Sequence, residues 1–160
     1  MKIHGHKPIP ADMRARSSGG MPPAAMARLA IRVYYEDTDA AGIVYYANYL
    51  RFIERGRTEF LRALGHDQNV LMQEGIAFAV RSVSVEFLKP AKLDDLLAVE
   101  TGVASLGRAQ LTFAQRILRG TELLLDAEIR VVCIDPVRGK PVGMPEDIHE
   151  RMSSLMGPSG

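Results

Sequence analysis

The stretch ANYLRFIERGRTEFLRALG, residues 47–65, decides the architecture of this chain. Tyr49, Phe52, Ile53, Gly56, Phe60, Ala63 and Leu64 recur at the three- and four-residue spacing of one helical face, while Arg51, Glu54, Arg55, Thr58 and Arg62 fall away from it. Gly65 supplies a C-terminal stop, because glycine readily enters the left-handed conformation that ends helices. Gly56 lies in the middle of the apolar stripe, where glycine costs about 1 kcal/mol relative to alanine. A return on that cost is close approach: the helix lies flat on a sheet, backbone nearly touching backbone.

On both sides of this helix the period falls to two. RLAIRVYYED (28–37) alternates around Leu29, Ile31, Val33 and Tyr35 and reads as a strand. GIAFAVRSVSVEFLKP (75–90) carries Ile76, Phe78 and Val80 in one phase, then Val83, Val85 and Phe87 in the other, so a bulge is expected near Arg81–Ser82. Pro90 ends that run. LDDLLAVETGVASL (93–106) reads as a strand turning at Gly107–Arg108 into AQLTFAQRILR, which turns at Gly120–Thr121 into ELLLDAEIRVVCID and stops at Pro136. MPEDIHERMSSLM (144–156) has Pro145 and two acids where helices begin. The order is one strand, one long helix, then four strands joined by short turns. Short turns imply antiparallel neighbours, and the single striped helix must bury its face on that sheet, an α+β architecture. Residues 28–145 form the expected domain, 1–27 a flexible extension rich in Pro, Gly, Ser and Ala, and 146–160 a short helix and tail.

With 160 residues and a net charge of +1, the chain suits one domain and offers no broad basic field for a nucleic-acid backbone. It contains no apolar run long enough to cross a bilayer as a helix and no secretory h-region. Its one cysteine, Cys133, lies in the apolar run VVCI and reads as a buried packing residue; the cysteine usage points to a reducing, cytoplasmic compartment. No metal or cofactor is expected: His4 and His6 in a flexible tail do not make a site, and no HExxH, P-loop or dinucleotide fingerprint occurs.

DTDAAGIVYY (37–46) leads into the helix and carries the chemistry. As a calcium loop counted from Asp37 it fails at position five, Ala41, and at position twelve, Asn48. Two readings stay open. Asp39 organises a turn before a helix, or it is a general base or nucleophile beside a buried apolar approach, with free N–H groups at the helix N-terminus ready to polarise a carbonyl. A carboxylate plus an oxyanion donor is what hydrolysis of an activated acyl group needs.

The stretch RVYYEDTDAAGIVYYANYLRFIERGRTEFLRALG, continued by VRSVSVEFLKPAKLDDLL, LTFAQRIL and VVCIDPVRGKP, resembles the hotdog-fold thioesterases of the 4-hydroxybenzoyl-CoA type, and within them the YbgC-type, Tol-Pal-associated acyl-CoA thioesterases. The resemblance covers roughly residues 30–145 and implies an antiparallel sheet wrapped around one long helix. It implies that Asp39 is the catalytic carboxylate, activating water or attacking the thioester to give a mixed anhydride, and that the backbone N–H of Tyr46 holds the thioester oxygen. The YbgC-type subgroup often has histidine at that position, whereas the benzoyl-CoA enzyme has tyrosine. Tyr35 matches a tyrosine near the carboxylate, Gly42 belongs to the substrate loop, and Asp37 is a turn-former.

A CoA tail is phosphorylated, so cations are expected at the pocket mouth: Arg81, Lys89, Arg138 and Lys140. The family implies an acyl-CoA substrate, a homodimer or homotetramer with its sites at the interface, an acyl carrier protein as a further partner, and a cytoplasmic place at the periphery of the inner membrane. The alternative is a non-catalytic acyl-CoA or acyl-carrier-protein binding module tied to envelope or phospholipid metabolism.

Overall fold

A computed structural model describes residues 3–4, 27–65 and 68–156. Strands β1 (Ile3–His4) and β2 (Ala27–Arg32) precede a 3-10 turn at Tyr35–Asp37, the long helix α1 (Asn48–Ala63) and a six-residue helix α2 (Gln68–Gln73). Four long strands follow, β3 (Ala77–Phe87), β4 (Leu96–Leu106), β5 (Gln110–Arg119) and β6 (Glu122–Asp135), then the two-residue β7 (Lys140–Pro141) and helix α3 (Glu146–Leu155). Apart from Ile3–His4 and Ala27, the N-terminal extension lies outside the described residues, as do residues 157–160.

The sheet runs β1-β3-β6-β5-β4-β2, with β7 beside β6. All pairs are antiparallel except β1 with β3, where Ile3 and His4 face Val83 and Ser84. One connection departs from the short-turn expectation. β3 pairs with β6 rather than with β4, so the loop after Phe87 carries the chain across the sheet instead of closing a hairpin. Period-two alternation does the rest: Leu97, Val99, Thr101 and Val103 of β4, and Leu111, Phe113, Gln115 and Ile117 of β5, all turn inward and are buried.

The expected bulge is present, with the register shifting between Val80 and Ser82. It brings both apolar phases of β3 to one side, so that Phe78, Val80 and Val83 share a groove beside α1. Cys133 is fully buried, and burial pushes its thiol pKa up, as befits a packing residue.

Helix α1 buries Tyr49, Phe52, Ile53, Gly56, Phe60 and Leu61. The stripe differs from the sequence reading at its C-terminal end, where Leu61 is buried and Ala63 exposed. The apolar face widens there toward β3 and β6, with Leu61 lining the groove that Phe78 and Val80 also line. Gly65 ends the helix region at φ +92°, and its N–H donates to the Arg62 carbonyl at 3.0 Å.

At Gly56 the helix rests on the sheet. A Cβ there would meet Thr101 Oγ1 at 2.7 Å, Val99 Cγ1 at 2.8 Å and Gln115 Nε2 at 3.0 Å, so only glycine lets α1 lie this close. Gln115 Nε2 donates to the Ile53 carbonyl (2.8 Å) and to Thr101 Oγ1 (2.9 Å), while its Oε1 accepts from Arg57 Nη1 (3.0 Å). Thr101 and Gln115 are 0% exposed, and every polar atom of the buried amide is satisfied.

Candidate active site

The segment between β2 and α1 is built from short-range hydrogen bonds. Asp37 closes the first turn: its Oδ2 accepts from the Tyr34 N–H at 2.8 Å, and its N–H donates to the Tyr34 carbonyl at 2.9 Å. Its carbonyl then accepts from the Tyr45 N–H (3.0 Å) and from Asn48 Nδ2 (2.8 Å), which ties the turn to the start of α1. Asp37 is therefore a turn-former, its carboxylate spent on the backbone.

Thr38 and Val44 bridge across a tight hairpin with Asp39 at its entry. The Asp39 N–H donates to the Ile43 carbonyl at 2.9 Å, and the Gly42 N–H donates to the Asp39 carbonyl at 3.0 Å, with Gly42 at φ +78°. A glycine answers the backbone there, since side chains rarely adopt that conformation. Asp39 is exposed; its Oδ1 accepts from the Ala41 N–H at 2.9 Å, and among the described residues its Oδ2 has no partner.

Loop 88–95 is the platform under this hairpin. The Val44 N–H donates to the Ala91 carbonyl (2.9 Å), Ile43 bridges Lys92, and the Leu93 N–H donates to the Gly42 carbonyl (3.3 Å). The buried Tyr49 hydroxyl accepts from the Ala91 N–H at 2.9 Å, which fastens the platform to α1. The sequence does not reveal this link, because Tyr49 and Ala91 share no local pattern; Tyr49 reads only as part of the stripe.

Helix α1 begins without a side-chain cap. Among the described residues the Tyr46 N–H has no hydrogen-bond partner, so an unpaired donor stands at the positive end of the helix dipole. The approach to it is less buried than its apolar composition implies: Val44 is buried, but Tyr46 is 59% exposed and Tyr35 83%. The Tyr46 ring meets Phe87 edge-on at 6.4 Å, and Phe87 meets Tyr49 at 5.8 Å, so aromatic rings run from the surface into the core. Tyr35 accepts at its carbonyl from the Thr38 N–H and hydroxyl, and its ring makes no hydrogen bond to Asp39.

The expected cations are scattered. Lys89 belongs to the platform loop, with Nζ 2.7 Å from Glu122 Oε2. Arg119 donates to Glu122 as well, and also to Asp95 Oδ2 (2.6 Å) and the Pro90 carbonyl (3.3 Å). Lys89 first, and Arg119 after it, pull the Glu122 carboxyl down to about 2 from its ordinary 4.5. This network clamps both ends of the loop that carries the hairpin. Arg81 is exposed at the bulge. Arg138 lies in the β6–β7 turn with Nε 3.9 Å from Asp135, and Lys140 faces Asp135 in β7. The hairpin end of β6 is near Leu125, opposite Phe87, so Arg138 and Lys140 are roughly 30 Å away along that strand. Tyr35, Asp39, Gly42 and Tyr46 share the segment between β2 and α1, Lys89 stands in the platform loop with its ammonium on Glu122, and Arg81, Arg138 and Lys140 lie on other elements. Among the described residues no cluster of His, Cys, Asp and Glu has the makings of a metal site.

Chemically, the arrangement offers a carboxylate with an open oxygen and a backbone donor at a helix N-terminus, set beside an aromatic wall. Comparisons with known proteins identify the family. The model of the thioesterase-like superfamily matches residues 33–152. The acyl-CoA thioester hydrolase YbgC of an Escherichia coli strain is 48% identical over 122 residues, covering 76% of this chain and 91% of that protein. The acyl-CoA thioesterase YbgC of Haemophilus influenzae is 47% identical over 126 residues, covering 78% of this chain and 93% of that one. Among solved structures, a probable thioesterase from Bartonella henselae aligns with TM-score 0.73 at 39% identity, over 76% of this chain and 100% of that one. The chain belongs to the thioesterase-like superfamily and has its hotdog fold.

Proposed function

We propose that this protein hydrolyses acyl-CoA thioesters to a carboxylic acid and free CoA. The observation that carries the reading is the pairing of an exposed Asp39 carboxylate, one oxygen open, with the unpartnered Tyr46 N–H across a short hairpin. The substrate's thioester carbonyl sits on the Tyr46 N–H, where developing negative charge is best stabilised. As general base, Asp39 takes a proton from water as the oxygen adds to the carbonyl carbon; the C–S bond then breaks and the proton passes to the departing thiolate. As nucleophile, the carboxylate itself displaces CoA thiolate, and water hydrolyses the resulting anhydride. Both routes use the same two groups.

Tyr35 and Gly42 border the reacting atoms, and Lys89, in the platform loop beneath the hairpin, is the cation of this chain offered to the phosphorylated tail. Arg81, Arg138 and Lys140 reach a CoA only from a second subunit, which fits an active homodimer or homotetramer with sites at the interface. Acyl thioesters on a carrier protein present the same pantetheine arm and are a second substrate form. Among the described residues no helix is long and apolar enough to cross a membrane, in keeping with action in the cytoplasm, at most peripheral to the inner membrane.

Release of thiol from a series of acyl-CoAs tests the reading. Turnover is expected, and its chain-length profile defines the acyl pocket. Saturable acyl-CoA binding with no thiol release at any chain length would overturn it in favour of a binding module.

A further inference from the structure

Helix α1 rests on β2, β4 and β5, and beside it a groove of about 320 Å³ opens toward β3 and β6. Its floor is apolar: Phe78 and Val80 of β3 lie there with Ile129 and Val131 of β6, and Val80 is 37% exposed. The helix wall is mixed. It carries Glu54 and Arg57 between Leu50 and Leu61, with the exposed Arg51 at the rim. An apolar floor beside a wall bearing both signs of charge has the make-up of a contact between proteins.

Both central charges have capacity left. Arg57 is half-buried, and its Nη1 donates to Gln115 Oε1 at 3.0 Å. The Gln115 amide cannot turn away, because its Nε2 is committed to the Ile53 carbonyl and to Thr101. That bond aims the guanidinium and leaves most of its five N–H donors unused. Glu54 is exposed one turn back. Burial lowers the Arg57 pKa and the Glu54 charge acts against that lowering, yet the two make no ion pair with each other.

The spacing along the helix is self-complementary. Leu50, Glu54, Arg57 and Leu61 follow one another at four-, three- and four-residue steps, so they form one ridge. Glu54 and Arg57 stand equally far from the midpoint between Arg55 and Gly56, and so do Leu50 and Leu61. A two-fold axis through that midpoint lays a second copy of the ridge antiparallel on the first. Each Glu54 then faces the partner's Arg57, twice over, as an isologous contact requires. On the adjoining flank Arg51 and Glu59 are nearly equidistant from the same point, so Arg51 also meets an acid. A parallel arrangement sets Glu54 on Glu54 and arginine on arginine, which like-charge repulsion disfavours.

We propose that this groove is an interface for a second copy of this chain, with the two α1 helices antiparallel and Glu54 of each copy paired with the partner's Arg57. Such a pairing gives the homo-oligomer proposed above its contact surface and rests on none of the thioesterase chemistry.

Sedimentation of the full chain over a range of concentrations measures the association. Wild type is expected to dimerise, less tightly in high salt. Glu54→Arg changes an exposed side chain and should raise the dissociation constant by about tenfold or more, since like charges then face each other at both ends of the pair. Val80→Asp, which sets a charge on the exposed floor, should do the same. Direction is read by cross-linking. Arg51 and Arg62 are both exposed and lie on one flank of the helix. A short bis-maleimide should join Arg51→Cys to Arg62→Cys in a mixed dimer and leave either variant alone unjoined, because like positions then lie roughly 14 Å or more apart along the axis. Cys133 is buried and takes no part. A folded Glu54→Arg protein that associates as wild type does, or like positions that join as readily as the mixed pair, overturns the proposal and assigns the groove to another partner. A wild type that stays monomeric at every concentration overturns it together with the homo-oligomer reading, while thiol release from acyl-CoA still decides the thioesterase reading by itself.

Discussion

Helix α1 meets the rest of the molecule in two contrasting ways. At Gly56 the contact is closed: the helix backbone rests on Thr101, Val99 and Gln115, and the buried amide of Gln115 satisfies all its hydrogen bonds. At the N-terminus everything is left open: the helix has no side-chain cap, the Tyr46 N–H is unpartnered among the described residues, and Asp39 keeps one oxygen free. The same helix thus carries a packing joint and, at its other end, the proposed reaction centre. The two are told apart by polar satisfaction, not by composition, since both contain polar residues beside large apolar ones. Unmade hydrogen bonds are costly when buried and useful when a substrate is to make them.

The sharpest way to break the comparison is at the joint. Gly56→Val should leave no cooperatively folded protein at ordinary temperature, because two methyl groups are forced into atoms already 2.7–3.0 Å from the Cβ alone. Gly56→Ala is the finer version: its gain in helix propensity, about 1 kcal/mol, is outweighed by overpacking, for a net loss of about 1–2 kcal/mol in denaturant unfolding. An alanine variant more stable than wild type would show that the joint is not tight.

Between joint and reaction centre stands Tyr49. Tyr49→Phe keeps the ring but strands the Ala91 N–H, which should cost about 1–3 kcal/mol. Because Ala91 also holds Val44 through its carbonyl, kcat should fall while KM stays near its wild-type value. A loss of stability with unchanged kcat would mean that the platform loop does not position the hairpin.

The smallest effect is expected at Glu122. Its folded pKa, about 2, lies below the ordinary 4.5, so its pairing with Lys89 and Arg119 stabilises the fold above pH 4.5. That contribution is lost as pH falls from about 4.5 toward 2. Thermal unfolding of wild type and Glu122→Gln should differ slightly at neutral pH, converge through this window, and differ less in high salt. A difference that persists unchanged to pH 2 would contradict the assignment.

Periodicity made the elements legible because burial on one face imposes it: the long helix, the four long strands, the bulge of β3 and the C-terminal helix all follow from spacing. It did not single out Gln115, a polar residue at an inward position of LTFAQR, nor Thr101, Ile53 and Arg57 as its partners. Pairing of β3 with β6 was not legible, because strand order depends on which edges meet in space, and the loop around Pro90 looks like any other turn. The short helix at Gln68–Gln73 was missed for want of a full amphipathic period. At the site, spacing located the two acids and the resemblance assigned Asp37 to the turn and Asp39 to the chemistry; the hydrogen bonds show Asp37 bound by the Tyr34 N–H and Asp39 exposed. The exposure of Tyr46 ran against the apolar look of its sequence, since an apolar run is buried only where something covers it.

The account rests on Asp39 being chemically essential and structurally dispensable. Asp39→Asn, read in parallel by single-turnover hydrolysis of an acyl-CoA and by thermal unfolding, addresses both halves at once. The side chain keeps an acceptor for the Ala41 N–H, so stability should stay within about 0.5 kcal/mol of wild type. The hydrolytic step should slow by about a thousandfold or more, as expected when a base or nucleophile is removed. Hydrolysis at the wild-type rate in a folded Asp39→Asn protein would contradict the account.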